Sequence, residues 1–122
     1  FFQIIFKISK EIYMEKYKVS DKKEIFIKLN EDLVWNKELK QLYLNDNLLK
    51  LTKKEFLLVE LLIKIPEKIF VNEEIISYIW KDEFDSNPDI SNLKNLISRL
   101  RSKIPALRIE NIYGFGYKIV TI

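Results

Sequence analysis

Cysteine and histidine are both absent from this chain of 122 residues. Without cysteine, the chain has no disulfide framework and no thiolate zinc site. Without histidine, it lacks the commonest general base and the commonest metal ligand. Helix caps and solvent exposure account for its clustered carboxylates, which are Glu55, Glu60, Glu73 and Glu74. The sequence therefore predicts a protein that is not an enzyme and that uses no metal or cofactor.

Long apolar runs are missing too. Residues 1–18 repeat apolar side chains at helical spacing, but this segment is too charged to span a membrane and lacks the layout of a signal peptide. Because it begins without an initiator methionine, we interpret it as the end of an upstream domain, with a self-contained dimerisation helix as the alternative. Residues 19–24 then serve as a linker. We expect a cytoplasmic protein without a membrane partner.

Acidic residues are scarce in the last part of the chain. Residues 90–122 contain six Lys or Arg and a single acidic residue, Glu110, whereas residues 52–89 contain five Lys and nine Asp or Glu. A basic segment joined to an acidic one fits a polyanionic partner better than an evenly charged surface does. Chance asymmetry is the alternative explanation.

The order of turn residues, helix-capping residues and prolines along the chain predicts a sheet followed by helices. Residues 25–51 contain short β-type runs broken by turn residues, which indicates a small antiparallel sheet of three or four strands. A capping box at Thr52 and Glu55 begins a mostly apolar helix that ends before Pro66. A second helix begins at Asn72. An acidic loop and a third helix follow, which is the layout of a helix-turn-helix.

The third helix, predicted from Asp89 to Ile104, has two different faces. Its apolar stripe repeats at intervals of three and four residues and consists of Ile90, Leu93, Leu96, Ile97, Leu100 and Ile104. The opposite face has short polar side chains at its centre and cations at its edges, which suits the base edges and phosphates of a DNA major groove. An ordinary surface helix has a similar outer face, so the helix alone leaves both interpretations open.

Glycine is scarce as well. The only two glycines, Gly114 and Gly116, lie in a YGFG turn between two alternating apolar strands. This pattern predicts a tight hairpin in which the backbone needs a positive φ or a close approach at these positions. Tyr113 and Phe115 either rest against DNA or pack on neighbouring strands, and packing is favoured for Tyr117.

Four ordered stretches, LTKKEFLLVELL, VNEEIISYIW, LISRLRSKI and IYGFGYKI, resemble the OmpR/PhoB family of winged-helix DNA-binding domains over residues 25–122. The fold that this predicts is α+β, a winged helix-turn-helix with an N-terminal small antiparallel sheet, three helices and a C-terminal β-hairpin wing. The resemblance implies sequence-specific binding of double-stranded DNA by the effector domain of a two-component transcriptional response regulator. The recognition helix, 91–104, would lie in the major groove and the wing, 113–117, near the minor groove.

The resemblance also implies partners. They are an upstream receiver domain that ends within residues 1–18, a sensor kinase that acts on it, RNA polymerase, and a second copy of the protein in a homodimer on DNA. The alternative is a winged helix that binds proteins and not DNA.

Individual contacts follow from the helix face and from the resemblance. Base reading is predicted for Asn95, Ser98 and Arg99. Contacts to the DNA backbone are predicted for Ser91, Asn92, Lys94, Arg101, Lys103 and Lys118. The wing consists of Tyr113, Gly114, Phe115 and Gly116, and it departs from the family because Tyr113 stands where many members carry an arginine that enters the groove. The loop implied to contact polymerase consists of Lys81, Asp82, Glu83, Phe84 and Asp85.

Overall fold

The computed structural model describes residues 25–121, which fall into two compact units, 25–50 and 51–121. The helix and the linker predicted for residues 1–24 lie outside the described residues.

The first unit is a small antiparallel sheet. Its strands are hydrogen-bonded in chain order and are β1 (Phe26–Lys28), β2 (Leu33–Asn36), β3 (Gln41–Leu44) and β4 (Asn47–Leu48). Asparagine side chains close its first two turns, because the Oδ1 atoms of Asn30 and Asn36 each accept two backbone N–H hydrogen bonds at 2.9 to 3.0 Å. Leu33 and Trp35 are buried, as is Leu42, which is the register partner of Trp35. The predicted sheet is confirmed with four strands.

The first helix of the second unit, α1 (Lys53–Lys64), begins where the sequence predicts. Both capping-box hydrogen bonds form: the Glu55 N–H donates to Thr52 Oγ1 at 3.2 Å and the Thr52 N–H donates to Glu55 Oε1 at 2.9 Å. The helix ends at its C-cap, Ile65, because Pro66 disfavours helical backbone in the residue before it. Six of the seven side chains from Leu57 to Ile63 are apolar and buried, so α1 is central to the core.

The second helix, α2 (Asn72–Ile79), is shorter and buries Ile75 and Ile79. The third, α3 (Ile90–Lys103), has Asp89 as its N-cap and Ile104 as its C-cap, within one residue of the predicted bounds. Burying a leucine or isoleucine side chain contributes about 1.5 to 3 kcal/mol. The apolar side chains that these helices bury therefore stabilise this unit.

The apolar stripe of α3 needs one correction. Leu93, Leu96, Ile97 and Leu100 are buried as expected, but Ile90 is 43% exposed. It lies one turn before the first buried residue of the stripe and follows a loop whose residues 81–87 are all exposed.

The second sheet contains the wing. Its strands are β5 (Phe70–Val71), β6 (Ile109–Ile112) and β7 (Gly116–Ile119), in the antiparallel order β5-β7-β6. The sequence did not predict β5, because two residues are too few for a periodic pattern. Its presence explains Gly116: a Cβ there would lie 2.4 Å from the Phe70 carbonyl oxygen, so only glycine allows β5 to pair with β7. The described residues thus confirm the predicted fold class.

Candidate nucleic-acid interface

The outer face of α3 is exposed and positively charged. Between Ile90 and Lys103 the helix contains four Lys or Arg and no Asp or Glu. Its exposed polar side chains are Ser91, Asn92, Lys94, Asn95, Ser98, Arg99, Arg101, Ser102 and Lys103. Every residue that the sequence assigned to DNA contact on this helix therefore reaches the surface. A polar surface with cations and without acids attracts the phosphates of nucleic acid.

The three predicted base readers lie together. Asn95 is three residues from Ser98 and four from Arg99, so the three side chains are neighbours on the helix surface. An amide, a hydroxyl and a guanidinium placed side by side match the donor and acceptor groups of base edges in a major groove.

Arg99 also borders a cleft of about 410 Å³ beside the first turn of α1. The cleft is lined by Thr52, Lys53, Lys54, Glu55, Leu96 and Arg99. Sequence spacing does not connect Lys53 or Lys54 with Arg99, because these residues are far apart in the chain. Their cations lie near the N-terminus of α1, where the helix dipole adds further positive potential.

The cations at the end of α3 are bonded inside the domain. Arg101 donates from Nη2 to the Ile109 carbonyl oxygen at 2.5 Å, which joins the last turn of α3 to the first residue of β6. Lys103 donates from Nζ to Glu55 Oε1 at 2.7 Å. Lys118 on β7 lies 3.3 Å from Glu67 Oε1. Three of the predicted phosphate contacts thus have structural partners that sequence spacing does not reveal.

Glu55 is the acceptor that holds Lys103. Its side chain is only 7% exposed. Burial raises the pKa of this carboxyl, but hydrogen bonds from Lys103 and from the Thr52 N–H, together with the charge of Lys103, outweigh burial and lower the pKa. The carboxylate is therefore ionised at neutral pH and fixes the end of α3 to the start of α1.

A second capping box begins α3. Asp89 Oδ1 accepts from the N–H groups of Ser91 and Asn92 at 2.9 and 3.2 Å, and Asn92 Oδ1 accepts from the Asp89 N–H at 2.9 Å. Asn92 therefore stabilises the helix start in addition to its predicted backbone contact. The signal was present in the sequence, since Asp89 and Asn92 have the three-residue spacing of a capping box.

The wing ends in a tight turn with two exposed rings. Tyr113 and Gly114 have φ angles of 51° and 79°, and the Phe115 N–H donates to the Ile112 carbonyl at 3.1 Å, which is the pattern of a type I′ turn. Tyr113 is 94% exposed and Phe115 is 50% exposed, whereas Tyr117 is buried. The rings of Tyr113 and Phe115 stack with centroids 6.4 Å apart. These two rings therefore project from the wing.

Asn72 connects α2 to this turn. The helix has Val71 as its N-cap, and no side chain makes the capping hydrogen bond. Asn72 instead donates from Nδ2 to the Gly114 carbonyl at 3.0 Å and from its backbone N–H to the Phe115 carbonyl at 2.9 Å. The sequence located the start of this helix but not this use of the asparagine.

A known family matches most of this unit. The family of C-terminal domains of transcriptional regulatory proteins matches residues 46–119, from the end of the first sheet to the end of the wing. The chain belongs to this family. Membership confirms the resemblance to OmpR/PhoB-type DNA-binding domains. The family is one of DNA-binding regulators, which agrees with the expectation that the chain is not an enzyme.

Two regulators and one solved structure show how far the likeness extends. The transcriptional regulatory protein CssR of Bacillus subtilis is 35% identical over 77 residues, which cover 63% of this chain and 33% of CssR. The heme response regulator HssR of Staphylococcus aureus is 29% identical over 120 residues, which cover 96% of this chain and 51% of HssR. The crystal structure of the CssR DNA-binding domain aligns with a TM-score of 0.55 and 33% identity over 72% of this chain and 90% of that one. The chain spans about a third of the length of CssR and about half that of HssR.

The loop between α2 and α3 gives this regulatory domain an acidic surface with an aromatic side chain at its centre. Residues 81–87 are all exposed, and Phe84 is 92% exposed. Lys54 lies 2.8 Å from Glu83 Oε2 and 5.9 Å from the centre of the Trp80 ring, so it ties the loop to the start of α1. The side chains predicted to contact polymerase are therefore accessible.

Two structural features are absent from residues 25–121, the part of the chain that the structure describes. Within that range, no helix has the length and apolar character needed to cross a bilayer. The same range contains no group of three or more His, Cys, Asp or Glu side chains arranged to hold a metal ion.

Proposed function

We propose that this chain is the DNA-binding effector domain of a two-component response regulator and that α3 enters the major groove of double-stranded DNA. The observation that supports this proposal is the exposed face of α3, which carries four cations and no acids, in a domain of a transcriptional regulatory family. The alternative of a module that binds only proteins is not favoured, because the similar CssR structure is described as a DNA-binding domain.

Asn95, Ser98 and Arg99 are proposed to read the bases. Asn95 has the paired donor and acceptor that match the N6 and N7 atoms of adenine. Arg99 can donate two parallel hydrogen bonds to the O6 and N7 atoms of guanine. Ser98 suits either donor or acceptor groups.

Backbone contacts are proposed at both ends of the helix and on the wing. Ser91, Asn92 and Lys94 would contact phosphates near the start of α3. Arg101, Lys103 and Lys118 keep donors for phosphate in spite of their internal bonds, because a guanidinium has five N–H donors and an ammonium has three. Each of these side chains would bond to its internal partner and to a DNA phosphate at the same time. Each would therefore lose less hydration on binding DNA than Lys94 would.

The proposed domain context rests on the lengths of the relatives. HssR matches almost the whole chain and is about twice as long, and it is described as a response regulator. We therefore place a receiver domain upstream of the linker at residues 19–24, with residues 1–18 as its last helix and a sensor kinase acting on it. Such a regulator works in the cytoplasm and binds DNA as a homodimer, which raises the affinity of weakly binding single domains.

The acidic loop is proposed to contact RNA polymerase. Phe84 is exposed and is flanked in the chain by Glu83 and Asp85, so it offers an apolar anchor between two carboxylates. This combination fits a basic partner surface with an apolar pocket.

The experiment that tests DNA binding is selection from a pool of randomised duplexes with the 122-residue chain, followed by footprinting of the selected duplex. We expect a protected site with a defined base sequence. If no sequence is enriched and no footprint forms at moderate salt, the chain is not a sequence-specific DNA-binding domain, and the protein-binding alternative replaces it.

A further inference from the structure

The cleft beside the first turn of α1 is lined by three cations and one acid. The cations are Lys53, Lys54 and Arg99, and the acid is Glu55. Lys103 donates to Glu55 at 2.7 Å, so the charge of this carboxylate is already balanced. The cleft, with a volume of about 410 Å³, therefore has a positive potential, and a cleft of one charge concentrates ligands of the opposite charge.

The three cations of the cleft differ in their partners. Lys53 and Arg99 have no ion-pair partner among residues 25–121. Lys54 Nζ lies 2.8 Å from Glu83 Oε2, in the exposed acidic loop that follows α2. The Lys54 and Glu83 side chains are 36% and 43% exposed. Exposed ion pairs stabilise proteins little, so a competing anion can replace the Glu83 carboxylate.

Arg99 indicates which anion competes. Its side chain lies on the exposed face of α3 and also on the wall of the cleft. A duplex that meets α3 therefore brings its backbone to the mouth of the cleft. Duplex DNA carries one negative charge about every 1.7 Å along its axis, so its phosphates compete strongly with the single carboxylate of Glu83 for Lys54.

We propose that the cleft binds one phosphate of the DNA backbone through Lys53 and Lys54, and that Lys54 leaves Glu83 to do so. This proposal rests on the DNA binding proposed above for α3. Lys54 also lies 5.9 Å from the centre of the Trp80 ring, which directly precedes the loop, so its movement loosens the loop at two points. DNA binding thereby frees the loop that carries Phe84, the surface proposed above to contact polymerase.

The first test is a double-mutant cycle on the duplex selected by the 122-residue chain, with affinity measured by fluorescence anisotropy. Lys54→Gln should weaken binding severalfold. Glu83→Gln should tighten binding roughly two- to fivefold, because DNA no longer has to break an exposed ion pair of up to about 1 kcal/mol. When Lys54 is already Gln, Glu83→Gln should add nothing, because the pair is already lost.

Glu74→Gln is the matched charge control. Glu74 is an exposed carboxylate of α2, and within residues 25–121 it makes no ion pair. The loss of its charge should tighten binding by less than Glu83→Gln does, and this small gain should remain when Lys54 is Gln. The control thus distinguishes a long-range effect of charge from competition for Lys54.

Uncharged phosphate analogues locate the site on the DNA. A methylphosphonate replaces one charged backbone phosphate with a neutral group, so a series of duplexes removes the charges one at a time. At one position the substitution should weaken the wild type severalfold and leave Lys54→Gln unaffected. If no position behaves in this way, the cleft takes no DNA phosphate and the proposal is wrong.

Amide hydrogen exchange, followed by NMR, reports the state of the loop. The Glu83 N–H donates to the Trp80 carbonyl at 3.1 Å, and the Ser86 N–H donates to the Glu83 carbonyl at 3.2 Å. Both amides should exchange severalfold faster when the wild type binds DNA, because the loop opens locally. In Glu83→Gln they should exchange equally fast with and without DNA, since the loop is already released. Unchanged exchange in the wild type would contradict the release of the loop.

The outcomes separate this proposal from the function on which it rests. If the wild type leaves no footprint on the selected duplex, the proposed function fails. If it leaves a footprint and Lys54→Gln binds as tightly as the wild type, the cleft proposal is wrong and binding by α3 stands. If Lys54→Gln weakens binding but Glu83→Gln does not tighten it, Lys54 holds the carboxylate and the phosphate together, and the exchange is overturned.

Discussion

The Lys and Arg side chains of α3 lie in two different settings. Lys94 and Arg99 are exposed on the outer face, whereas Arg101 and Lys103 in the last turn are bonded to Ile109 and Glu55. The cations of the last turn hold the helix in the domain. Not all four positive charges of α3 are therefore available for DNA alone. The difference predicts that the two ends respond differently to mutation.

The largest effect is expected when the internal partner of Lys103 is removed. Glu55→Ala removes the half of the capping box in which Glu55 Oε1 accepts the Thr52 N–H, and it leaves Lys103 without its carboxylate, so the free energy of unfolding should fall by about 1.5 to 3 kcal/mol. Urea denaturation measures this. Glu55→Gln is the control, because its side-chain oxygen can still accept the Thr52 N–H, and it should cost less. If Glu55→Ala is as stable as the wild type, Lys103 is not a structural residue and the contrast between the two ends is lost.

Arg99→Ala should affect DNA binding more than stability, which is the reverse of the effect expected for Glu55→Ala. The Arg99 side chain is exposed, so the free energy of unfolding should change little. If Arg99 pairs with guanine, the free energy of binding to the selected duplex should weaken by about 1 to 3 kcal/mol. Fluorescence anisotropy with the selected duplex and with single-base variants measures both affinity and preference. Unchanged affinity with unchanged base preference would remove Arg99 from the reading set.

The salt dependence of DNA binding distinguishes cations on the outer face of α3 from cations that have an internal partner. Lys94→Ala should reduce the magnitude of the slope of log affinity against log salt by about 0.9, the value for one phosphate contact. Lys118→Ala should reduce it by less, because Lys118 already pairs with Glu67 and releases fewer counterions on binding. Equal reductions would mean that the internal pair opens fully on DNA.

Local features of this structure were predictable and distant contacts were not. Neighbouring residues determine the starts of α1 and α3, the end of α1 at Pro66 and the glycine turn. The sequence therefore predicts each of these positions within about one residue. The pairs Glu55 with Lys103 and Asn72 with Gly114 join residues 48 and 42 positions apart. Helical periodicity reports which face is buried, but not which group a long side chain meets once the elements pack. The base-reading and wing assignments therefore stay predictions for the experiments above.

The smallest expected effect concerns pH and the same internal pair. In the folded chain the pKa of Glu55 lies below its ordinary value of 4.5, so the folded state binds this proton less tightly than the unfolded state does. The stabilisation by Lys103 is complete above the unfolded pKa and is lost as pH falls through the folded pKa. The wild type should therefore exceed Lys103→Ala in unfolding free energy by at most about 1 kcal/mol at neutral pH, since the Lys103 side chain is 42% exposed. In urea titrations at decreasing pH, this difference should begin to shrink near pH 5 or below, roughly where carboxylates take up protons. A difference that persists in strong acid would mean that Lys103 stabilises the end of α3 by packing and not by its bond to Glu55.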